Sequence, residues 1–414
     1  MVSLKIYSYF IIAVVLFVFS GYSHSKPNSF VGVDGEDIVD AKGDALLLRG
    51  TNLGNWLLPE GYMFKFSTVN SAEKINTLFQ EAVGPEKSRD FWDEYLESYI
   101  TEDDIRFLKG TGVNHIRLPF HYKLLTNDDY LGRNYHGYKY IDRAVAWAKK
   151  YDLLVLLDMH AAPCGQTGDN IDDSYGYPYL LVSKRCQETF IDTWRRIADH
   201  YKDEPTILGY DLLNEPVAHH FEKDTAALER ALVKLYKETT KSIREVDKNH
   251  IIFIGGSNWN TNFSLFGKPF DDNLVYEFHK YWMDVKQEEI QQYVDFSKKY
   301  AVPIYVGETG ENTDEWVRDF RVLLEKNNIG WAFWPYKKMN NSKGFMNFKQ
   351  PAIYQKLIDY SDSDRRTYEN IRNNLPNKLS SESALKEFNV ESLYENNTPN
   401  NGYIEALGLK VPKK

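Results

Sequence analysis

Two acidic residues stand where a chain could use them together. Glu215 lies in Asn214–Glu215–Pro216, at the end of the run ILGYDLLNEP (207–216), and Glu308 lies in Gly307–Glu308–Thr309, at the end of PIYVGETG (303–310). Two carboxylates on one cleft fit glycosidic hydrolysis. One stays protonated and donates to the leaving oxygen; the other attacks the anomeric carbon or activates water. A separation of about 5–5.5 Å serves retention, and a wider one serves inversion. Either glutamate alone would read as a cap or an ion-pair partner. The pair, on matching strand ends, has a mechanism.

Polar and aromatic residues end or interrupt similar runs. Arg117 sits inside HIRLPF (115–120) and could hold a carboxylate ionised through a charged hydrogen bond. His160 ends LLVLLDMH (153–160), His279 and Tyr281 close LVYEFHKYW (274–282), and Trp334 closes GWAFWPY (330–336). Asn214 directly precedes Glu215 and could hold a sugar 2-hydroxyl. Trp56, Trp259 and Trp282 are candidates either for sugar stacking or for core. A histidine at these positions could be a hydrogen-bonded core residue or a zinc ligand. The chain has no HExxH and no close His pair on a helix, so no metal and no cofactor is expected.

These residues need elements that bring them to one rim. Eight apolar runs read as strands: the six spans above, or parts of them, together with ALLLRG (45–50) and IIFIGGSNW (251–259). Several are nearly continuous in apolar residues, as parallel strands covered on both faces are. Helical spacing recurs between them, in FWDEYLESYITEDDIRFLKG, YIDRAVAWAKK, CQETFIDTWRRIADHY, residues 221–246, EEIQQYVDFSKKY, DEWVRDFRVLLEKN and PAIYQKLIDYS. The fifth crossover, 260–273, is short and rich in Asn, Phe and Gly. This alternation predicts an α/β fold, a (β/α)8 TIM barrel, with its site at the C-terminal ends of the strands. No Gly-rich phosphate loop follows the first strand, which argues against a nucleotide fold. The polar insertion 161–182 is expected to overhang the active face, and its Asp169, Asp172 and Asp173 lack a full calcium-loop pattern. The catalytic domain is expected over 26–362, with 363–414 as an extension that wraps the barrel or is partly disordered.

Composition narrows the partners. The 414 residues carry a net charge of −9 with both signs interspersed, and no basic stripe marks a nucleic-acid surface. With 29 Tyr, 23 Phe and 9 Trp, the chain has rings enough for both a core and a sugar cleft. Lys5, an apolar run to Phe19 and small residues at Gly21, Ser23 and Ser25 form a secretory signal pattern, so residues 1–25 are expected to be removed and the product secreted or periplasmic. In such a compartment Cys164 and Cys186 could pair, or remain two buried thiols. A monomer is expected.

Taken together, RGTNLGNW, HIRLPF, LDMH, LLNEP, FHKYW, VGETG and AFWPY resemble glycoside hydrolase family 5, across roughly residues 35–360. The resemblance implies a retaining mechanism, with Glu215 as acid/base and Glu308 as nucleophile supported by Arg117 and Tyr281. It also implies that His160 and Asn214 bind the sugar, that Trp334 floors it, and that His279 tunes the acid/base. RGTNLGNW and HAAPCGQTGDN resemble the β-glucanase members, although Cys164 stands where exo-1,3 types carry a glycine. The implied substrate is a β-glucan, cleaved as by an endo-β-1,4-glucanase. The alternatives are an exo-β-1,3-glucanase, or a mannan-, xyloglucan- or glucosylceramide-directed relative. The non-enzyme alternative is a carbohydrate-binding barrel.

Overall fold

Eight of the apolar runs become the staves of one closed barrel in the computed structural model, which describes residues 30–413. The strands are β1 (Arg49–Asn52), β2 (His115–His121), β3 (Leu154–Ala161), β4 (Ile207–Asp211), β5 (Ile251–Gly255), β6 (Leu274–Lys280), β7 (Ile304–Gly310) and β8 (Gly330–Trp334). Every neighbouring pair is parallel, and β8 returns to β1 through Trp331 opposite Arg49. The expected signal segment, 1–25, lies outside the described residues.

Side chains alternate across each stave, as the two-residue period requires. Val155 and Leu157 join the large core shared with the helices, while Leu156 joins a smaller cluster with Leu208, Phe253, Val275, Tyr305 and Ala332. Burial on both faces explains why these strands read as continuous apolar runs.

The helical pattern expected over 91–110 is two helices, Pro85–Ser98 and Glu102–Thr111. Thr101 and Asp104 form a reciprocal capping box that begins the second one, and Gly112, at φ 98°, ends it. A further helix, Ala72–Val83, buries Ile75, Leu78, Phe79 and Ala82. β5 ends at Gly255, so the fifth crossover begins earlier than expected, and its one helical turn is Ser257–Asn260, in which Asn258, Trp259 and Asn260 have φ of 55°, 59° and 56°. Three successive left-handed non-glycine residues cost about 1 kcal/mol or more each, so the surroundings must hold them there.

The segment after residue 362 packs on the barrel's flank. Helix Lys378–Ser392 lays Phe388 on Phe64, with ring centroids 5.0 Å apart, and Asn389 donates to the Phe91 carbonyl. Buried Lys337 joins Asp104 at 3.0 Å and donates to the Ser392 carbonyl, which ties the end of the barrel to this helix. Tyr403 reaches the Trp334 carbonyl from the helix Asn401–Ala406.

Candidate active site

Local irregularities in the staves aim the polar residues. Between β2 and β3, Phe120 faces Met159 and His121 faces Ala161, which leaves His160 as the extra residue. Between β6 and β7, Phe278 faces Val306 and His279 faces Glu308, which leaves Gly307 unpaired. Each is a bulge that turns neighbouring side chains without ending the strand. Glu215 follows β4 by four residues and has φ 46°, a left-handed conformation that costs a non-glycine residue about 1 kcal/mol or more. The 161–182 loop holds it there. Thr167 Oγ1 donates to the Glu215 carbonyl at 3.1 Å, and Gln166 Nε2 donates to the Asn214 and His160 carbonyls. Cys164 and Cys186 are joined in a disulfide that anchors the loop to the helix Lys184–Tyr201. Asp172 accepts from Thr167, Gly168 and Ser174 amides, Asp173 pairs with His121, and Asp169 pairs with His220, so the three loop carboxylates serve separate partners.

Glu308 is buried among donors. Arg117 Nη1 donates to its Oε1 at 2.6 Å and Tyr281 donates to its Oε2 at 3.2 Å. Burial pushes the Glu308 carboxyl up, while His279, Arg117 and His160 pull it back toward ionisation. Burial, together with Glu308, keeps the Tyr281 phenol protonated and therefore a donor. Glu215 is more open, with 14% of its side chain exposed against 7% for Glu308, as suits a group that must meet both a leaving oxygen and water. Its Oε1 lies 2.8 Å from His279 Nδ1. Burial disfavours charge on His279, but Glu308, Glu215 and Glu277 outweigh it and push the imidazole up to about 10. One oxygen of Glu215, one of Glu308 and a nitrogen of His279 all lie within 4.8 Å of one another.

The sugar-contact candidates gather around this pair. Trp334 stacks parallel on His160, at 5.5 Å and 12°, and its Nε1 donates to Tyr62. Gly54 permits that ring, since a Cβ there would lie 2.4 Å from it. His160 Nδ1 meets Asp158 at 2.6 Å, and Asn214 bridges Arg117 and His160 through its two amide atoms. Trp282 is 70% exposed beside Tyr281, and Trp259 is half-buried with Nε1 on His219. Trp56 takes the core alternative. It is fully buried, donates to the Leu96 carbonyl and packs on Tyr140, so it is core and has no face for a ligand.

Beneath these residues lies a layer that the reading of motifs missed. Arg117 faces Asp158 at 3.1 Å, Asp211 at 2.7 Å and Glu277 at 3.6 Å as well as Glu308, and Nη1 donates to Asn52. Asn260, delivered by the left-handed turn, donates to Glu277 and meets His279. Glu60 is buried near His160, with Oε1 unpartnered, and burial pushes it up to about 8. A signal existed: Asp158 and Glu277 stand two residues before His160 and His279, on the same strand face.

Two groups have metal-like spacing, Asp158–His160–Glu308 and Glu215–His279–Glu308. Arg117, between Asp158 and Glu308, already supplies a cation to the first, and in the second His279 stands between the carboxylates, 2.8 Å from Glu215 and 3.8 Å from Glu308. The arrangement as a whole offers a partly exposed carboxyl beside an imidazolium, a buried carboxyl with two donors, and an indole wall.

Known proteins resemble this chain. The family description Cellulase (glycosyl hydrolase family 5) matches residues 76–340. A β-xylosidase of Phanerodontia chrysosporium is 28% identical over 372 residues, covering 80% of this chain and 75% of that one. Endoglucanase C of Acetivibrio thermocellus is 30% identical over 332 residues, covering 65% of this chain and 92% of its own. Among solved structures, an endogalactoceramidase shares the fold with a TM-score of 0.56 at 19% identity, over 75% of each chain. With the family's match spanning β2 to β8 and both glutamates, this chain belongs to glycosyl hydrolase family 5.

Proposed function

We propose that this chain is a retaining β-glucanase of the endo-β-1,4 type that works by double displacement. The observation that carries the reading is the pair of carboxylates with oxygens within 4.8 Å of each other, one held by Arg117 and Tyr281 and the other by His279. That spacing suits direct attack better than a water held between two acids. Glu308 attacks the anomeric carbon while Glu215 protonates the leaving oxygen. Glu215 then takes a proton from water, which releases the sugar from Glu308. Arg117 and Tyr281 disperse the charge that returns to Glu308, and Trp334 floors the reacting ring. The likeness to an endoglucanase over 92% of that protein favours an internal β-glucan bond. A second reading, an exo-acting β-glycosidase, draws on the β-xylosidase, whose likeness covers more of this chain. Export fits the N-terminal apolar segment and the disulfide.

The test is hydrolysis of barley β-glucan, carboxymethylcellulose, laminarin and aryl β-xyloside, with the first product followed by proton NMR. Initial β-anomer with a rapid fall in viscosity is expected. Initial α-anomer would reject double displacement. Release of single sugars without viscosity loss would replace the endo reading by the exo one.

A further inference from the structure

Four carboxylates, Asp158, Asp211, Glu277 and Glu308, face the single guanidinium of Arg117 beneath the cleft. The two imidazoles in reach, His160 and His279, add at most two positive charges. Even with both protonated, one negative charge is left over, in a place where Asp158, Asp211 and Glu277 have no exposure at all. A buried uncompensated charge is removed by taking up a proton. The remaining hydrogen-bond capacity narrows where that proton goes. Asp211 Oδ2 takes Arg117, and Glu277 Oε1 takes Asn260 and His279. Asp158 Oδ1, Asp211 Oδ1 and Glu277 Oε2 are left without a donor, and of these three carboxyls it is Asp211 and Glu277 that are in hydrogen-bonding contact with each other. Two acceptors that meet inside a protein need one hydrogen between them.

We propose that Asp211 and Glu277 share one proton, held on Asp211, and that this acid–carboxylate pair positions His279, and through it Glu215, for catalysis. Glu277 then remains an anion. It faces His279 Nε2 while Nδ1 faces Glu215, so the imidazole is fixed at both ends. Burial raises the Asp211 carboxyl well above the usual range, with Glu277 adding to it. Glu277, which burial alone would raise, is held below its ordinary value by Arg117 and His279. The groups around the pair are Arg117 on β2, Asp158 and His160 on β3, His279 on β6, Tyr305 and Glu308 on β7, and Tyr236 on the helix Thr225–Arg244.

The assignment rests on the glycosidase reading for its kinetic consequence, but not for its chemistry. Asp211→Asn exchanges a neutral donor for a neutral donor, and Glu277→Gln deletes an anion. Asp211→Asn is expected to lower kcat by about tenfold at most and to leave the alkaline limb of the pH profile in place. Glu277→Gln is expected to lower kcat by about a hundredfold and to move that limb to lower pH, because His279 and Glu215 lose a neighbouring negative charge. An infrared difference spectrum, wild type minus Asp211→Asn, is expected to contain a protonated-carboxyl band at neutral pH. It is recorded without substrate, so its failure is separable from failure of the double-displacement reading. The same limb shift in both variants, or no acid band in the difference, would overturn the proposal. So would failure of Asp211→Asn to fold. If Glu277→Gln fails to fold, the infrared comparison decides.

Discussion

Gly307 and Glu277 lie against each other across the β6–β7 bulge: a Cβ on Gly307 would sit 2.6 Å from the Glu277 carboxyl carbon. The residue before Glu308 is therefore a glycine because a carboxylate occupies the space of its side chain. Gly307→Ala must push Glu277 away from His279 or push β7 outward with Glu308. Overpacking of this kind costs about 1–3 kcal/mol. A thermal midpoint lowered by several degrees is expected, with kcat falling more than KM rises, since the strained atoms lie under the reacting groups and not in the binding wall. Normal kcat in a folded Gly307→Ala would show that Glu277 does not hold the site.

Under the proposed double displacement, loss of each glutamate is expected to depend differently on the leaving group. Glu215→Gln keeps the shape and removes the proton. On a polysaccharide, whose leaving alkoxide needs that proton, activity is expected to fall by about 10²–10⁴-fold. On an aryl glycoside with an acidic phenol the first step needs little help, so a rapid release of phenol is expected before turnover stalls. Glu308→Gln is expected to be inactive on both. Stopped-flow phenol release compares the two directly, and equal losses on both substrates in Glu215→Gln would refute its role as the acid.

Much of this was legible in the chain. The staves were visible because burial on both faces leaves apolar runs, and the convergence of Glu215 and Glu308 because strand ends meet on one rim. The strand limits were less so. The run 207–216 contains a strand only to Asp211, since the backbone must leave the sheet to reach the left-handed Glu215. Trp56 stands between Asn55 and Leu57, and nothing local reveals that its indole meets the Leu96 carbonyl. Asp211 was hidden for a related reason. A carboxylate in an apolar run has a meaning only once its partner, an arginine from another strand, is known. Lys378–Ser392 has a weak apolar face because it buries single rings such as Phe388 among polar turns.

Glu60 gives the folded state a pH dependence of known sign. Burial raises its carboxyl from 4.5 to about 8; His160 opposes the rise, and Glu308, Glu311 and Glu215 add to it. Below the unfolded value both states are protonated and there is no penalty. Between 4.5 and about 8 the unfolded chain releases a proton that the folded chain keeps, so stability falls as pH rises. Above that window the full penalty, on the order of a few kcal/mol, applies. Glu60→Gln is expected to match wild type in urea denaturation at pH 4 and to exceed it at pH 9. A constant difference between the two proteins across that range would mean that Glu60 titrates normally.

The Cys164–Cys186 bond closes a loop spanning 22 residues and ends in the segment that clamps the Glu215 backbone. Closing a loop of that length removes about 3 kcal/mol of unfolded-chain freedom. The double variant Cys164→Ala/Cys186→Ala is therefore expected to unfold at a lower denaturant midpoint. Its effect on catalysis should be separate and smaller. The left-handed Glu215 is held by Thr167 and by the Gln166 carboxamide on Asn214, and loosening their anchor frees the backbone to relax. A several-fold drop in kcat is expected at temperatures where the variant is fully folded. Reduction of the wild type with dithiothreitol should reproduce both effects, and an unchanged midpoint after verified reduction would show that the loop's hydrogen bonds suffice without the cross-link.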